Sequence, residues 1–189
     1  MAQVKTKTLQ GIRIPPARET RRHRTLDERV LVRFPTLVPW LRAAIVRLPR
    51  HSRLRRAMLV RSVRQGYAAV NRRDFDLART AYDPDCEYHP EQAAFPDADP
   101  VYYGRDGLFR QFWGLQLESF GDVRLDPKEV LDLGDHRLVT TQMSGHGTGS
   151  GVPVNQKLFQ LFTVRRGMIV RQNDFSDRAR ALEAAGISE

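Results

Sequence analysis

Phe159-Gln160-Leu161-Phe162-Thr163-Val164-Arg165-Arg166-Gly167-Met168-Ile169-Val170 is the stretch that decides how this chain folds. A run of aromatic and β-branched residues, a basic turn closed by glycine and a second apolar run together spell a β-hairpin. Its strands are predicted over residues 156–164 and 168–175. Working back from it, residues 138–144 read as another strand. The tight turn Gly134-Asp135-His136 joins that strand to one over residues 123–133. Glycines 145, 147, 149 and 151 lie in the bend before the hairpin. No helix and no Gly-Lys-Ser/Thr follows them, so they read as a wide bend and not as a phosphate loop.

Upstream of these strands the period changes from two to that of a helix. Phe109, Phe112, Trp113 and Leu117 share one side of a helix predicted over residues 108–120. Glu87-Tyr88-His89-Pro90 is a short strand stopped by proline, and Asp83-Pro84-Asp85 before it reads as a turn. Ser52 is placed to cap a helix over residues 53–71, and Asp74 a shorter one carrying Phe75, Leu77 and Ala78. Asp177 opens a closing helix that runs to Ala185. Antiparallel hairpins with helices on one face make an α+β fold.

Charge divides the chain. Residues 1–64 hold 17 Lys and Arg against three acids, a net of +14, whereas the remaining 125 residues carry a net of −5. The basic character therefore belongs to an arm, residues 1–53, and not to the domain over residues 54–189, which argues against the domain itself being a nucleic-acid binder. Residues 1–25 are poor in aliphatics and read as disordered. Leu37, Trp40, Leu41, Ala44, Ile45 and Leu48 form one stripe of an amphipathic helix near residues 35–48. Such a helix packs on the domain or a partner, or lies on an anionic membrane. No stretch approaches the roughly 18 apolar residues of a membrane span. Asp27 and Glu28 break the apolar region that a twin-arginine signal at Arg21-Arg22 would need. The lone Cys86 permits no internal disulfide, and a cytoplasmic location is expected.

Three further segments resemble the SnoaL-like branch of the nuclear transport factor two-like superfamily. They are Tyr67-Ala68-Ala69-Val70-Asn71-Arg72-Arg73-Asp74-Phe75-Asp76, Tyr82-Asp83-Pro84-Asp85-Cys86-Glu87-Tyr88 and Tyr103-Gly104-Arg105-Asp106-Gly107. With the hairpin above, the resemblance covers about residues 55–187. It implies a curved antiparallel sheet wrapped by helices into a cone with a pocket at its wide end, and a homodimer through the sheet's outer face. It also implies a group of polyketide cyclases, isomerases, epoxide hydrolases, dehydratases and binding proteins, among which fold alone does not choose.

Chemistry in that pocket is general acid–base work, which needs a base and a donor toward a developing oxyanion. At positions resembling those of the isomerases, His89 is the candidate base, Gln160 the strand group facing an oxyanion and Tyr67 a phenol donor from the first family helix. Asp177 matches the acid of the cyclases' terminal motif, and it also sits where a helix cap belongs. His146 lies one residue from the cyclase histidine. Phe112, Trp113, Met143, Phe162, His146 and Asn173 are the expected substrate contacts. His23, His51, His89, His136 and His146 are scattered and no pair has ligand spacing, so no metal is expected, nor a cofactor. Three functions follow as alternatives. The domain binds a small apolar carbonyl or polyketide-like compound and cyclises, isomerises or hydrates it. Alternatively it is a non-catalytic ligand-binding or dimerisation module, or the basic arm contacts nucleic acid or an anionic surface.

Overall fold

A computed structural model of the chain describes residues 11–16, 23–34, 43–45, 48–49, 52–120 and 122–187. Its centre is a seven-stranded sheet in the order β1-β4-β5-β6-β7-β2-β3. The strands are β1 (Ile12–Arg13), β2 (Tyr82–His89), β3 (Tyr102–Tyr103), β4 (Arg124–Asp132), β5 (His136–His146), β6 (Pro153–Arg165) and β7 (Met168–Phe175). The hairpin read first from the sequence is β6–β7, turning at Arg166, which has a φ of 49°, and Gly167, with a φ of 80°. Left-handed backbone at the second position is what glycine supplies without steric cost. The pairing β5–β6 runs unbroken from His136↔Thr163 to His146↔Pro153.

The sheet is mixed, and not wholly antiparallel as expected: β2 runs parallel to β7. Its register moves from Tyr82↔Ile169 to Glu87↔Arg171, so the Asp83-Pro84-Asp85 segment bulges out of the ladder. Pro84 has no N–H to give a neighbouring strand, and its place in a bulge follows.

Helices surround the sheet, and five of those among the described residues bear on the site or the core. They are α1 (Leu26–Arg33), α2 (Arg53–Asn71), α3 (Phe75–Ala78), α4 and α5 (Arg178–Ala184). In α4, Gly104–Asp106 continues through a wide-wound turn, Gly107–Phe112, into Trp113–Ser119. Helix α2 spans the residues its periodicity marked, and the Asp74 carboxylate caps α3 by accepting from Leu77 N at 3.2 Å. Helix α5 departs from the one-face expectation. Leu182 and Ala181 pack on Leu131, Leu138 and Leu161, which project from the opposite side of the sheet to Val130, Val139 and Gln160. The outer face, where a homodimer contact was expected, is thus covered by α5 at one end.

The arm also departs from expectation. Within residues 1–25, residues 11–16 and 23–25 are ordered against the domain. Strand β1 extends the sheet beyond β4, with Ile12 opposite Val130, and Ile14 is 4 % exposed. Arg24 grips Asp74 with two hydrogen bonds of 2.7 and 2.5 Å, and Glu28 on α1 meets Arg72 at 3.0 Å. One of the arm's cations, Arg24, and one of its acids, Glu28, are therefore spent on pairs with the domain. The amphipathic helix expected near residues 35–48 falls mostly outside the described residues, of which residues 43–45 are helical. Among the described residues no helix is long and apolar enough to cross a membrane.

Candidate functional site

Between α2, α4 and the inner face of the sheet lies a cavity of about 130 Å³. The residues that line it follow from strand parity. On β5, Arg137, Val139 and Thr141 point inward, opposite Phe162, Gln160 and Leu158 on β6. On β7, Gln172 and Asp174 face Phe162 and Gln160. Helix α2 contributes Met58, Val63, Tyr67 and Val70, and α4 brings Phe109 of its wide-wound stretch and Trp113 just after it to the same space. Gly66 on α2 also lines it, and a methyl group added there would meet no atom within 4 Å. Glycine inside a helix costs roughly 1 kcal/mol relative to alanine, so here helix stability is given up for room.

Into this apolar wall is set a chain of hydrogen bonds that ends on one carboxylate. Thr141 Oγ1 donates to Tyr67 Oη at 3.0 Å, and Tyr67 Oη donates to Gln160 Oε1 at 2.6 Å. Gln160 Nε2 donates to both Asp174 oxygens at 3.1 and 3.0 Å. A second branch runs from Tyr82 Oη to Gln172 Oε1 at 2.6 Å and from Gln172 Nε2 to Asp174 Oδ1 at 2.9 Å. Tyr88 Oη completes the set, 3.0 Å from Asp174 Oδ2. Thr141, Gln160, Gln172, Asp174 and Tyr88 are all buried.

Burial sets the protonation of this network. Loss of solvent raises the Asp174 carboxyl to about 6, even though the donors from Gln172, Gln160 and Tyr88 favour its ionised form. The same loss pushes the Tyr67, Tyr82 and Tyr88 phenols up, so they stay protonated and act as donors. Asp174 alone in the group titrates near neutrality, which is where a general acid or base is useful. It stands one layer behind the wall, screened from the cavity by Gln160 and Gln172.

The sequence candidates divide by location. Tyr67, Gln160, Trp113 and Phe162 line the cavity together. Phe112 and Met143 are packed in the core behind it, each 1 % exposed. His89 is not among the lining residues. Its ring lies 3.2 Å from Glu87, and Arg171 holds the same carboxylate at 2.9 Å. Parity explains the placement: Tyr88 points inward beside Gln172, so Glu87 and His89 point to the other face. His146 is exposed and pairs with Asp122 at 2.7 Å. Asp177 caps α5 by accepting from Arg180 N at 2.9 Å. Asn173 points to the face opposite Gln172 and Asp174. Cys86 is 1 % exposed, and burial raises its thiol to about 11, which suits a structural role. Among the described residues no group of three His, Cys, Asp or Glu could hold a metal.

Asp174, Gln172, Tyr82 and Tyr88 belong to the site and were not among the candidates. The available signal was the alternation of Gln172 and Asp174 on a strand whose partner carries Gln160.

Solved structures with this architecture are numerous. TerC, crystallised with polyporic acid, matches 68% of this chain and 98% of its own at 20% identity with a TM-score of 0.56. An NTF2-like protein from Burkholderia thailandensis covers 67% and 95% at 23% identity and a TM-score of 0.56. IdmH of Streptomyces antibioticus, a candidate polyketide cyclase, covers 67% and 97% at 23% identity and a TM-score of 0.52. These likenesses establish the fold. No curated protein matches the chain. The SnoaL-like domain family matches residues 63–172, which span α2 from Val63 through Gln172 of β7 and include Tyr67, Tyr82, Tyr88, Gln160 and Gln172. The chain belongs to the SnoaL-like domain family.

Proposed function

We propose that this protein binds a small, mostly apolar carbonyl compound in the cavity and moves a proton next to the carbonyl, as an isomerisation, cyclisation or hydration requires. One observation carries the reading: a carboxyl raised to about 6 is wired through Gln160 to a phenol on the wall of a largely apolar cavity. Tyr67 is the donor to the substrate oxygen, turning its O–H from Gln160 to the carbonyl as charge develops there. Gln160, released from Tyr67, rotates and opens Asp174 to the cavity, and the carboxylate takes up the proton. Asp132 is a carboxylate at the wall itself, and Arg55 holds it in a bidentate pair at 2.8 and 3.0 Å, so both its oxygens are already engaged.

Size limits the substrate. An apolar cavity of roughly 150 Å³ takes up benzene, so the enclosed space suits one ring, and a larger molecule extends through the mouth. That two solved neighbours were crystallised with small ligands, polyporic acid and trimethylamine, is consistent with small-molecule binding.

Binding without chemistry is a second reading, and one feature favours it. Thr141, Tyr67, Gln160, Gln172 and Tyr82 already engage one another, so a ligand carbonyl at Tyr67 meets no idle donor of that network. Exchange of the protons next to the carbonyl of benzylacetone in deuterium oxide, followed by proton NMR, separates the two. Wild-type protein is expected to accelerate exchange, and Tyr67→Phe to lower that acceleration by about 100-fold, the usual effect of losing one oxyanion donor. Binding of benzylacetone with no acceleration over buffer refutes the catalytic reading and leaves the binding one.

A further inference from the structure

Arg137 is a charged group of the cavity that the mechanism above does not use. It points inward from β5, two residues before Val139, and lines the cavity together with Arg55 and Asp132. Three cationic and anionic groups meet there, and their charges do not cancel. Asp132 lies directly across the β4–β5 ladder from Arg137, yet its two oxygens are taken by Arg55 Nε and Nη2. Among the described residues Arg137 makes no ion pair, and its Nε is buried without a hydrogen-bond partner. Buried N–H groups that lack a partner are rare, and leaving one on a cation is costly. The site therefore holds one net positive charge and an unfilled donor at the wall of a cavity sized for an organic molecule.

We infer that Arg137 anchors a carboxylate of the ligand, so that the compound held is a small oxo acid and not a neutral ketone. The spacing supports this division of labour. Gln160, with Tyr67 on its Oε1, stands opposite Val139 on β6, so the proton-handling end lies about 7 Å along the strand from Arg137. A ligand of one ring and a short side chain spans that distance, its carbonyl at Tyr67 and its carboxylate at Arg137. Guanidinium donors form a planar fork that matches a carboxylate, and Arg55, fixed on Asp132, keeps that aspartate from competing for Arg137. Desolvation and the neighbouring Arg55 both disfavour the charged form of Arg137, while Asp132 favours it. An arriving anion reverses that imbalance.

This inference rests on the cavity being the ligand site, and the test keeps the two apart. Hydrocinnamate and benzylacetone have nearly the same shape and differ in bearing a carboxylate or a methyl ketone. Their affinities for the full chain are measured by calorimetry, with Arg137→Gln and Arg137→Lys alongside and circular dichroism to check folding. Wild type is expected to hold hydrocinnamate at least about 10-fold tighter than benzylacetone. Arg137→Gln should abolish the preference while leaving benzylacetone affinity within about threefold, and Arg137→Lys should keep part of it. Equal affinities in wild type, or a preference that survives in Arg137→Gln, overturn the carboxylate anchor and leave the cavity as a binding site. Should Arg137→Gln not fold, the wild-type ratio and the Arg137→Lys ratio decide in the same way. Binding of neither compound overturns both this inference and the cavity as a ligand site.

Discussion

Asp174→Asn tests the electrostatics on which the proposed chemistry depends. In the native protein the carboxyl is held at about 6, against 3.8 for an exposed aspartate, because burial penalises the charge more than three donors favour it. A folded-state value above the unfolded one means that the native state binds the proton more tightly. Its contribution to stability is then full below the unfolded value and is lost as pH rises through the folded value. A shift of about two units corresponds to about 3 kcal/mol, lost between roughly pH 4 and pH 6. Every other titrating group is common to both proteins, so the difference in unfolding free energy between wild type and Asp174→Asn isolates this one. Asparagine accepts from Gln160 and Gln172 through its single carbonyl oxygen, and Tyr88 reorients to accept from its amide.

The assay is urea unfolding, followed by circular dichroism at a series of pH values from acid to neutral. Wild type minus variant should fall by about 3 kcal/mol across that window and be flat above it. A difference that stays level shows a carboxyl with an ordinary value. A difference that rises with pH shows one whose ionised form is favoured by its donors. Either result removes Asp174 as a group that exchanges a proton near neutrality, and with it the reason to assign acid–base chemistry to the cavity. If the variant does not fold, carboxyl-carbon NMR titration of wild type reads the same quantity directly.

Two further outcomes follow from placement. His89→Ala should leave benzylacetone binding and proton exchange within about twofold of wild type, since surface changes rarely propagate to a site they do not touch. A loss of 10-fold or more would return His89 to the site. Asp74→Ala removes the cap on Leu77 N and the hold on Arg24 of the arm. It should cost about 2 kcal/mol in urea unfolding, and a cost below about 0.5 kcal/mol would show that the arm is not clamped there.

Much of the fold was legible because its signals are local. Ser52 and Asn71 bound α2, Asp74 caps α3, and the Arg166-Gly167 turn joins β6 to β7. The pairings that were missed depend on distant partners. The Asp83-Pro84-Asp85 turn signal was sound as local chemistry, and the parallel ladder with β7 carries strand pairing past it. Residues 11–16 are too few to fold alone within a basic, aliphatic-poor arm, and β4 offers them an open edge.

The site was harder to read because it depends on which face of each strand points inward. On β6 both faces are apolar: Leu158 and Phe162 fill the cavity side, while Phe159 and Leu161 meet α5 on the other. Alternation is the only sequence signal of parity, and covering both faces erases it. Gln160 could be recognised as a buried polar residue on β6 with Tyr67 as a candidate neighbour, but Asp174 as its other partner could not be named. On β2 the same ambiguity put His89 forward, and the inner face falls instead to Tyr88, which pairs with Gln172 of the parallel neighbour. Arg137, just past the Gly134 turn, resembles any solvated strand end. Once the register is known, these residues fall into order. Arg137, Gln160, Gln172 and Asp174 share the one face that burial requires to be apolar, where an unpaired polar side chain is costly. Gln160, Gln172 and Asp174 offset that cost among themselves. Arg137 does not, and that difference is why it, and not the Asp174 network, specifies what the ligand must bring.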